Sequence, residues 1–537
     1  MNRISRISTC SLLLCIGSTL LSFSPAPAQT QSDSTVSSPE LTAFVNVNIV
    51  PMDRERVLEN HAVLIEAHRI IEISPMDTFE FPRDVRVIDG EGGYLMPGLA
   101  DMHAHLNIDP SPNFMRLFLA EGVTTIRNLN ALPDHLEWRD QVLRGERVGP
   151  TIYTSGPVIV GPPEPTMVLV FRLLVVAGLL ALGAAMWMLL WLLQRFRGAN
   201  DGTGTLRRAL LPGGVFLVVL GVALLGTKAI PLNTYASLQF PFAYVPDTEA
   251  RARAEVRRQV SAGYDLIKVY DYMTPDQYLG AIDEARIQGI YVVGHLDHGI
   301  EASFAAGLRE SVHVDEFLDE HLVGEMSPRA FQPLPINLEL IPQSVASVAT
   351  HNAMVVSNLV TDVITYEYLE EGPGYFERPE FSRVRPEKIQ EWLQSRMVNW
   401  QGQQEWRRHT VQPFYERMIR ELHAAGVPIL TGTDTGTEGA LPTHIHRELD
   451  LLVRAGLSNF DALSAATTNA ELSVRRMGSN DIFGEVAVGQ RADLLLLKSN
   501  PLDDIRATRQ RLGVMSRGRW HPQDELDRLA AEVIASY

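Results

Sequence analysis

Two rhythms run along the chain. Near its ends apolar and polar residues alternate with a period of two, as a half-buried strand requires. "LTAFVNVNIV" from Leu41 and "HAVLIEAHRIIEIS" from His61 follow that pattern, and "RVIDGEGGYLMPGL" from Arg86 adds a strand and a turn. "FGEVAVGQRADLLLL" from Phe483 and "LGVMSRGRW" from Leu512 repeat it at the far end. Between these ends, apolar strand-like runs take turns with helical periods such as "TPDQYLGAIDEARIQG" and "GIEASFAAG". The strand candidates are "GLADMHAHL", "VTTIRNL", "TIYTSG", "DLIKVY", "YVVGHL", "LRESVHV", "AMVVSNL" and "VPILTGTD". Repeated strand–helix alternation with about eight strands predicts an α/β fold, a closed (β/α)8 TIM-like barrel. The barrel is expected over 96–480, with a small β-sandwich assembled from 41–95 and 481–522. The Glu-, Arg- and Trp-rich stretch from Pro373 to Ala424 reads as helical excursions on the barrel surface.

Two runs do not fit that alternation. Leu173–Leu193 carries no charge and is long enough to cross a bilayer as a helix, and Ala209–Gly226 is a slightly shorter second run. Between them lie Arg195, Arg197, Arg207 and Arg208 against one Asp201, the bias of a cytoplasmic loop. These features predict a transmembrane helical hairpin over 167–230, inserted in the barrel after its third strand. At the start, Arg3 and Arg6 precede the apolar "CSLLLCIGSTLL" and the small-residue "APA" at Ala26–Ala28, which reads as a signal peptide over 1–28. Together they predict a membrane-anchored protein whose catalytic domain is periplasmic or otherwise extracytoplasmic.

Composition narrows the chemistry. A formal net charge of -17 argues against a nucleic-acid-binding surface, which needs Lys and Arg against phosphates. Both cysteines, Cys10 and Cys15, lie in the expected signal segment, so thiolate ligands are not available to the rest of the chain. Any metal site must use histidines and carboxylates. His103 and His105 are two apart on a strand and point the same way. His295 closes "YVVGH", His313 lies in "ESVHV", and Asp434 closes "PILTGTD". Each falls at the strand end where barrel active sites form. Lys268 interrupts the apolar "DLIKVY"; it joins this set, reaches solvent, or pairs with a carboxylate such as Asp265 or Asp271. Such a set suits one or two divalent ions, zinc foremost.

The segments "LMPGLADMHAHL", "GVTTIRNL", "GYDLIKVY", "GIYVVGHL", "ESVHV" and "PILTGTDTG" resemble the amidohydrolase superfamily, in particular its imidazolonepropionase-like and Xaa-Pro-dipeptidase-like branch. "HRELDLLVRAGLSNFDALSAATTNAELS" and "GEVAVGQRADLLLLKSNPLDDI" extend the resemblance. It implies that His103, His105 and Asp434 hold one metal, that His295 and His313 hold a second, and that a carboxylated Lys268 bridges them. It also implies a β-sandwich made from both chain ends. Here "SVHVD" lacks the usual acidic residue before the histidine and glycine after it, and His298 competes with His295 as a ligand. A mononuclear site of His103, His105, His295 and Asp434 therefore stays open. His446 matches a frequent position of the family without an assigned role.

A bound metal lowers the pKa of its water from about 15.7 to about 7, which supplies hydroxide at neutral pH. The function expected is hydrolysis of an amide or related C–N bond in a small molecule: a dipeptide, an N-acyl amino acid or a cyclic amide. Asp434 would take the water's proton as general base and pass it to the leaving nitrogen. An esterase or lactonase using the same site, and a non-catalytic membrane-anchored scaffold, are the competing readings; a homo-oligomer is left open.

Overall fold

In the computed structural model, residues 41–109, 111–162, 242–323, 333–393, 400–437 and 439–537 are described, with scattered helical positions between 173 and 189. The period-two segments at the two ends meet in one branched sheet. Its strands are β1 (Leu41–Ile49), β2 (Leu58–Glu66), β3 (Arg69–Pro75), β4 (Arg86–Asp89) and β5 (Tyr94–Pro97) from the first end. Eight barrel strands follow, and β14 (Leu494–Leu497), β15 (Arg511–Ser516) and β16 (Arg519–Pro522) return to the same sheet. The order is β16-β15-β14-β5-β1-β2-β3, with β4 also on β1. The seam between the ends is β5 against β14, antiparallel, pairing Leu95 with Leu496 and Met96 with Leu495. Phe44, Val63, Leu95, Leu494 and Met515 are buried together there.

The chain enters the barrel through "LMPGL". Gly98 is required at this step because a Cβ would come within 2.1 Å of Thr124 Oγ1 on the neighbouring strand. The barrel strands are β6 (Leu99–Ala104), β7 (Val123–Asn128), β8 (Thr151–Thr154), β9 (Leu266–Val269), β10 (Tyr291–Gly294), β11 (Glu310–Ser311), β12 (Met354–Val356) and β13 (Ile429–Leu430). Pairing runs β6-β7-β8 and β9-β10-β11-β12-β13, all parallel. Two bridges close the ring: Ser155 to Leu266 joins β8 to β9, and Ala104 to Thr435 joins the end of β13 to β6. Every residue of these strands is buried. Parallel strands covered by helices outside and side chains inside leave no solvent face, which explains the continuous apolar runs. The helix Pro275–Gln288 between β9 and β10 shows how local sequence sets its limits: Thr274 and Gln277 form a capping box, Pro275 opens the first turn, and Gly289 ends it at φ 69°.

The transmembrane hairpin expected over 167–230 is corrected here. Among the described residues no helix is long and apolar enough to cross a membrane. An uncharged run supplies the composition of a span, but a span also needs about 20 residues of continuous helix. Most of 167–230, and the signal segment 1–28, lie outside the described residues. The hairpin, and the membrane as a partner, are withdrawn. The two edges of that insertion are held together: Val158 O accepts from Tyr244 N at 2.8 Å and Tyr244 O from Val160 N at 3.0 Å. Ile159 also bridges to Val269, so the excursion leaves and rejoins beside β9.

Polar residues inside the barrel are tied across it. Arg127 on β7 and Glu310 on β11, on opposite sides of the ring, pair at 2.6 Å with both side chains fully buried. Arg127 also donates to Met102 O at 2.9 Å and Ser473 Oγ at 3.0 Å, and Tyr291 Oη donates to Glu310 at 2.9 Å. Breaking such a pair leaves an uncompensated buried charge. Glu310→Gln is expected to cost about 3–5 kcal/mol, while Arg127→Met with Glu310→Leu recovers most of it; thermal unfolding of the three chains checks this.

A buried histidine sets a second expectation. His444 Nδ1 accepts Leu441 N–H at 3.0 Å, and burial, with Arg447 nearby, pulls its pKa from 6.5 down to about 3. It is neutral in the fold, and the unfolded chain protonates first on acidification. Stability from this group is therefore full above pH 6.5 and is lost as pH falls toward 3, with a slope of about 1.4 kcal/mol per pH unit. Melting temperatures of the parent chain and of His444→Gln should diverge below pH 6.5 in the parent's disfavour; parallel curves would refute the assignment.

Candidate metal centre

The closure between β13 and β6 builds the first cluster. Asp434 N donates to His103 O at 2.7 Å and His105 N donates to Thr435 O at 3.0 Å. Asp434 is bent to φ 53°, a left-handed conformation that Asp tolerates better than most residues. The bend turns its carboxylate onto the two histidines: Oδ1 is 3.0 Å from His105 Nε2 and 3.4 Å from His103 Nε2. The two imidazoles touch at 3.2 Å between their Nε2 atoms. Beneath them Asp101, fully buried, accepts from His103 N at 3.2 Å and from Thr433 N and Oγ1 at 3.1 and 2.6 Å.

Lys268 completes this side, with Nζ 3.1 Å from His103 Nε2. The alternative pairing with Asp265 or Asp271 does not form. Asp265 takes Arg139 and the Thr154 N–H, and Asp271 takes His295. Burial lowers the Lys268 pKa from 10.5 to about 8. Burial also holds His103 and His105 below the ordinary histidine value, so both imidazoles are neutral and offer lone pairs.

His313 and His295 continue the cluster. The His103 and His313 ring centres are 4.5 Å apart, and those of His313 and His295 are 5.0 Å apart. His295 Nδ1 lies 2.7 Å from Asp271 Oδ1 and 2.8 Å from Glu316 Oε1. Burial opposes protonation of His295, but these carboxylates outweigh it and raise the pKa to about 10. All six residues singled out from the sequence thus fall in one contiguous group at the strand ends. His298 does not join it: it sits 3.6 Å from Asp297 and edge-on to Tyr278. His446 is elsewhere, buried between Thr508, Arg511 and Glu121.

Among the described residues, two groups have atoms placed to hold an ion, each within 4.8 Å of one another: His103, His105 and Asp434, and Asp271, His295 and Glu316. The donor set fits a divalent cation. His295 Nε2 is buried with no hydrogen-bond partner, and His103 Nε2 collects His105, Asp434 and Lys268 around one point. Asp271 and Glu316 were missed in the sequence; Asp271 directly follows the "DLIKVY" strand, which was the available signal.

The model of the amidohydrolase family matches residues 94–521. The chain belongs to the amidohydrolase family. Members typically use a divalent metal, and the two groups above are this member's candidates for it. Shorter stretches are similar to curated relatives. They share 42% identity over 83 residues with an ochratoxinase of Aspergillus niger, 15% of this chain and 16% of that one. They share 36% over 92 residues with an adenine deaminase of Ruegeria sp. (strain TM1040), 17% of this chain and 15% of that one. A solved Xaa-Pro dipeptidase with bound methionine matches in fold, with TM-score 0.57 and 17% identity over 90% of this amidohydrolase and 100% of the dipeptidase.

If these donors hold an ion, adding zinc to the metal-stripped amidohydrolase should raise its melting temperature by ligand linkage. His105→Gln should lose most of that rise; an equal rise in both chains would exclude the His103–His105–Asp434 group.

Proposed function

We propose that this amidohydrolase hydrolyses an amide or related C–N bond of a small molecule, using one or two divalent ions, zinc foremost. The observation that carries the reading is the gathering of His103, His105, Lys268, His295, His313 and Asp434 at one end of the barrel. A binding scaffold has no physical need for six ionisable or ligating groups buried together, since each costs desolvation. When bound, the metal supplies an acidified water and a Lewis acid for the substrate carbonyl. The residues do the rest. His103 and His105 present Nε2, and the Nδ1–H of His103 donates to Val312 O at 2.9 Å, which fixes its tautomer. Lys268, kept out of water and with a lowered pKa, would offer an uncharged amine to carbon dioxide, and the carbamate formed with loss of a proton would add anionic oxygen donors for a metal. Asp434 accepts a proton from water at its carboxylate and delivers it to the leaving nitrogen.

Dipeptides, N-acyl amino acids and cyclic amides are the substrate classes proposed, and the name of the dipeptidase of similar fold supports starting with the first. An ester or lactone answers to the same chemistry and forms the control arm. Asp434→Asn, assayed at saturating zinc, should lose about 10²–10⁴-fold in kcat on whichever amide is turned over. Unchanged turnover would sink the role given to Asp434. Zinc-loaded parent chain that cleaves esters but no amide would replace the C–N reading.

A further inference from the structure

The loop after β12 puts one carboxamide between the two halves of the site. Asn358 is 3% exposed, and its terminal Nδ2 position lies 3.1 Å from His103 Nδ1, 3.0 Å from His313 Nδ1 and, at the long limit of a hydrogen bond, 3.4 Å from Val312 O. The chemistry of that position can be assigned. Val312 O, 2.9 Å from His103 Nδ1, can only accept, so His103 Nδ1 carries the proton. An N–H₂ group facing that N–H would set donor against donor. The two ends of a carboxamide have the same shape, and their neighbours decide which is oxygen. Turning the amide about its last torsion puts Oδ1 where it accepts from both imidazoles.

The backbone is built to hold the amide there. Asn358 sits at φ 42°, a left-handed conformation rare outside Gly, Asn and Asp. Glu448, fully buried, fastens both sides of it. Its Oε1 accepts from Leu359 N at 3.0 Å and from Ser357 Oγ, and its Oε2 accepts from Val360 N at 2.8 Å. On the other side Gly432 leaves the room: a Cβ there would lie 2.5 Å from the Asn358 amide and 2.8 Å from His103 Cβ.

We infer that Asn358 is a positioning residue: its carboxamide oxygen accepts from Nδ1–H of both His103 and His313, and so turns the Nε2 of each toward the metals. One carboxamide oxygen thereby accepts from a ligand on either side of the site and sets the tautomer of His313. The inference rests on the metal reading above. It also separates the two histidines, because His103 keeps Val312 O whatever Asn358 does, whereas His313 Nδ1 otherwise faces Asp315 Oδ1 at 3.7 Å, beyond hydrogen-bond reach.

The test compares the full chain with Asn358→Asp, which keeps an acceptor and tolerates the left-handed turn, and Asn358→Gly, which relaxes the turn and removes the acceptor. Zinc affinity is measured by competition with a chelator, and the ring tautomers by NMR of chains labelled at histidine nitrogen. Asn358→Gly should bind zinc about 10–100-fold more weakly, the range for partners of metal-bound histidines. His313 should lose its Nδ1–H signature in that variant while His103 retains it. Asn358→Asp should stay near the parent in both measurements. Parental affinity and an unmoved His313 tautomer in Asn358→Gly would overturn the positioning role and leave the metal site standing. Asn358→Asp falling as far as Asn358→Gly would overturn the acceptor assignment. A parent chain that binds no zinc would overturn the metal reading and this inference with it.

Discussion

The barrel closes where the end of β13 meets β6, and the site depends on that seam. The same short backbone contacts that join the last strand to the first, Asp434 N to His103 O and His105 N to Thr435 O, bring Asp434 beside the two histidines. Sequence distance is large, with more than three hundred residues between partners, so the cluster exists only once the ring has closed. Asp101 reinforces the seam from below by accepting from both strands at once. A carboxylate fully out of water, its pKa raised to about 7 by burial against those hydrogen bonds, costs stability unless its donors stay in place. The seam is therefore specific: a slip of one residue would unpair Asp101 and turn the histidines away.

The order of elements was legible because parallel barrel strands leave a plain record. They are apolar on both faces, so any ionisable residue in them stands out, and Lys268 and His103 did. His295, His313 and Asp434 were visible for a related reason, since each follows an apolar run by only a few residues. Asp271 and Glu316 were less visible. Acidic residues after a strand are common, and what sets these two apart is their shared distance to His295, which no linear spacing encodes. Asn358 was invisible for a deeper reason. Its role comes from a backbone angle and from a vacancy at Gly432, neither of which changes the pattern of apolar and polar positions.

The hairpin shows the opposite error. A run such as Leu173–Leu193 satisfies every compositional criterion for a span, and the arginines beside it satisfy the charge rule, but both are statements about transfer free energy per residue. Neither says that the backbone forms one uninterrupted helix, and no described helix meets that condition. The insertion's effect on the fold is more local. Because Val158, Val160 and Tyr244 pair across its base, the chain can leave and return there without opening the ring between β8 and β9.

Buried polar groups in this protein fall into two kinds, and the difference separates support from site. Arg127, Glu310, Tyr291 and Ser473 pair with one another across the barrel, and Arg491 is held between Asp493 and Asp481, so their charges are balanced within the protein. The six site residues are not closed in this way. Nε2 of His103 meets another nitrogen base, an ammonium and, at 3.4 Å, the Asp434 carboxylate, and Nε2 of His295 has no hydrogen-bond partner. Ring nitrogens turned toward a shared space, their far nitrogens already hydrogen-bonded, are a poor way to stabilise a fold. They are the arrangement a cation completes, and the balanced network below them supplies the rigidity that keeps the donors apart until it does.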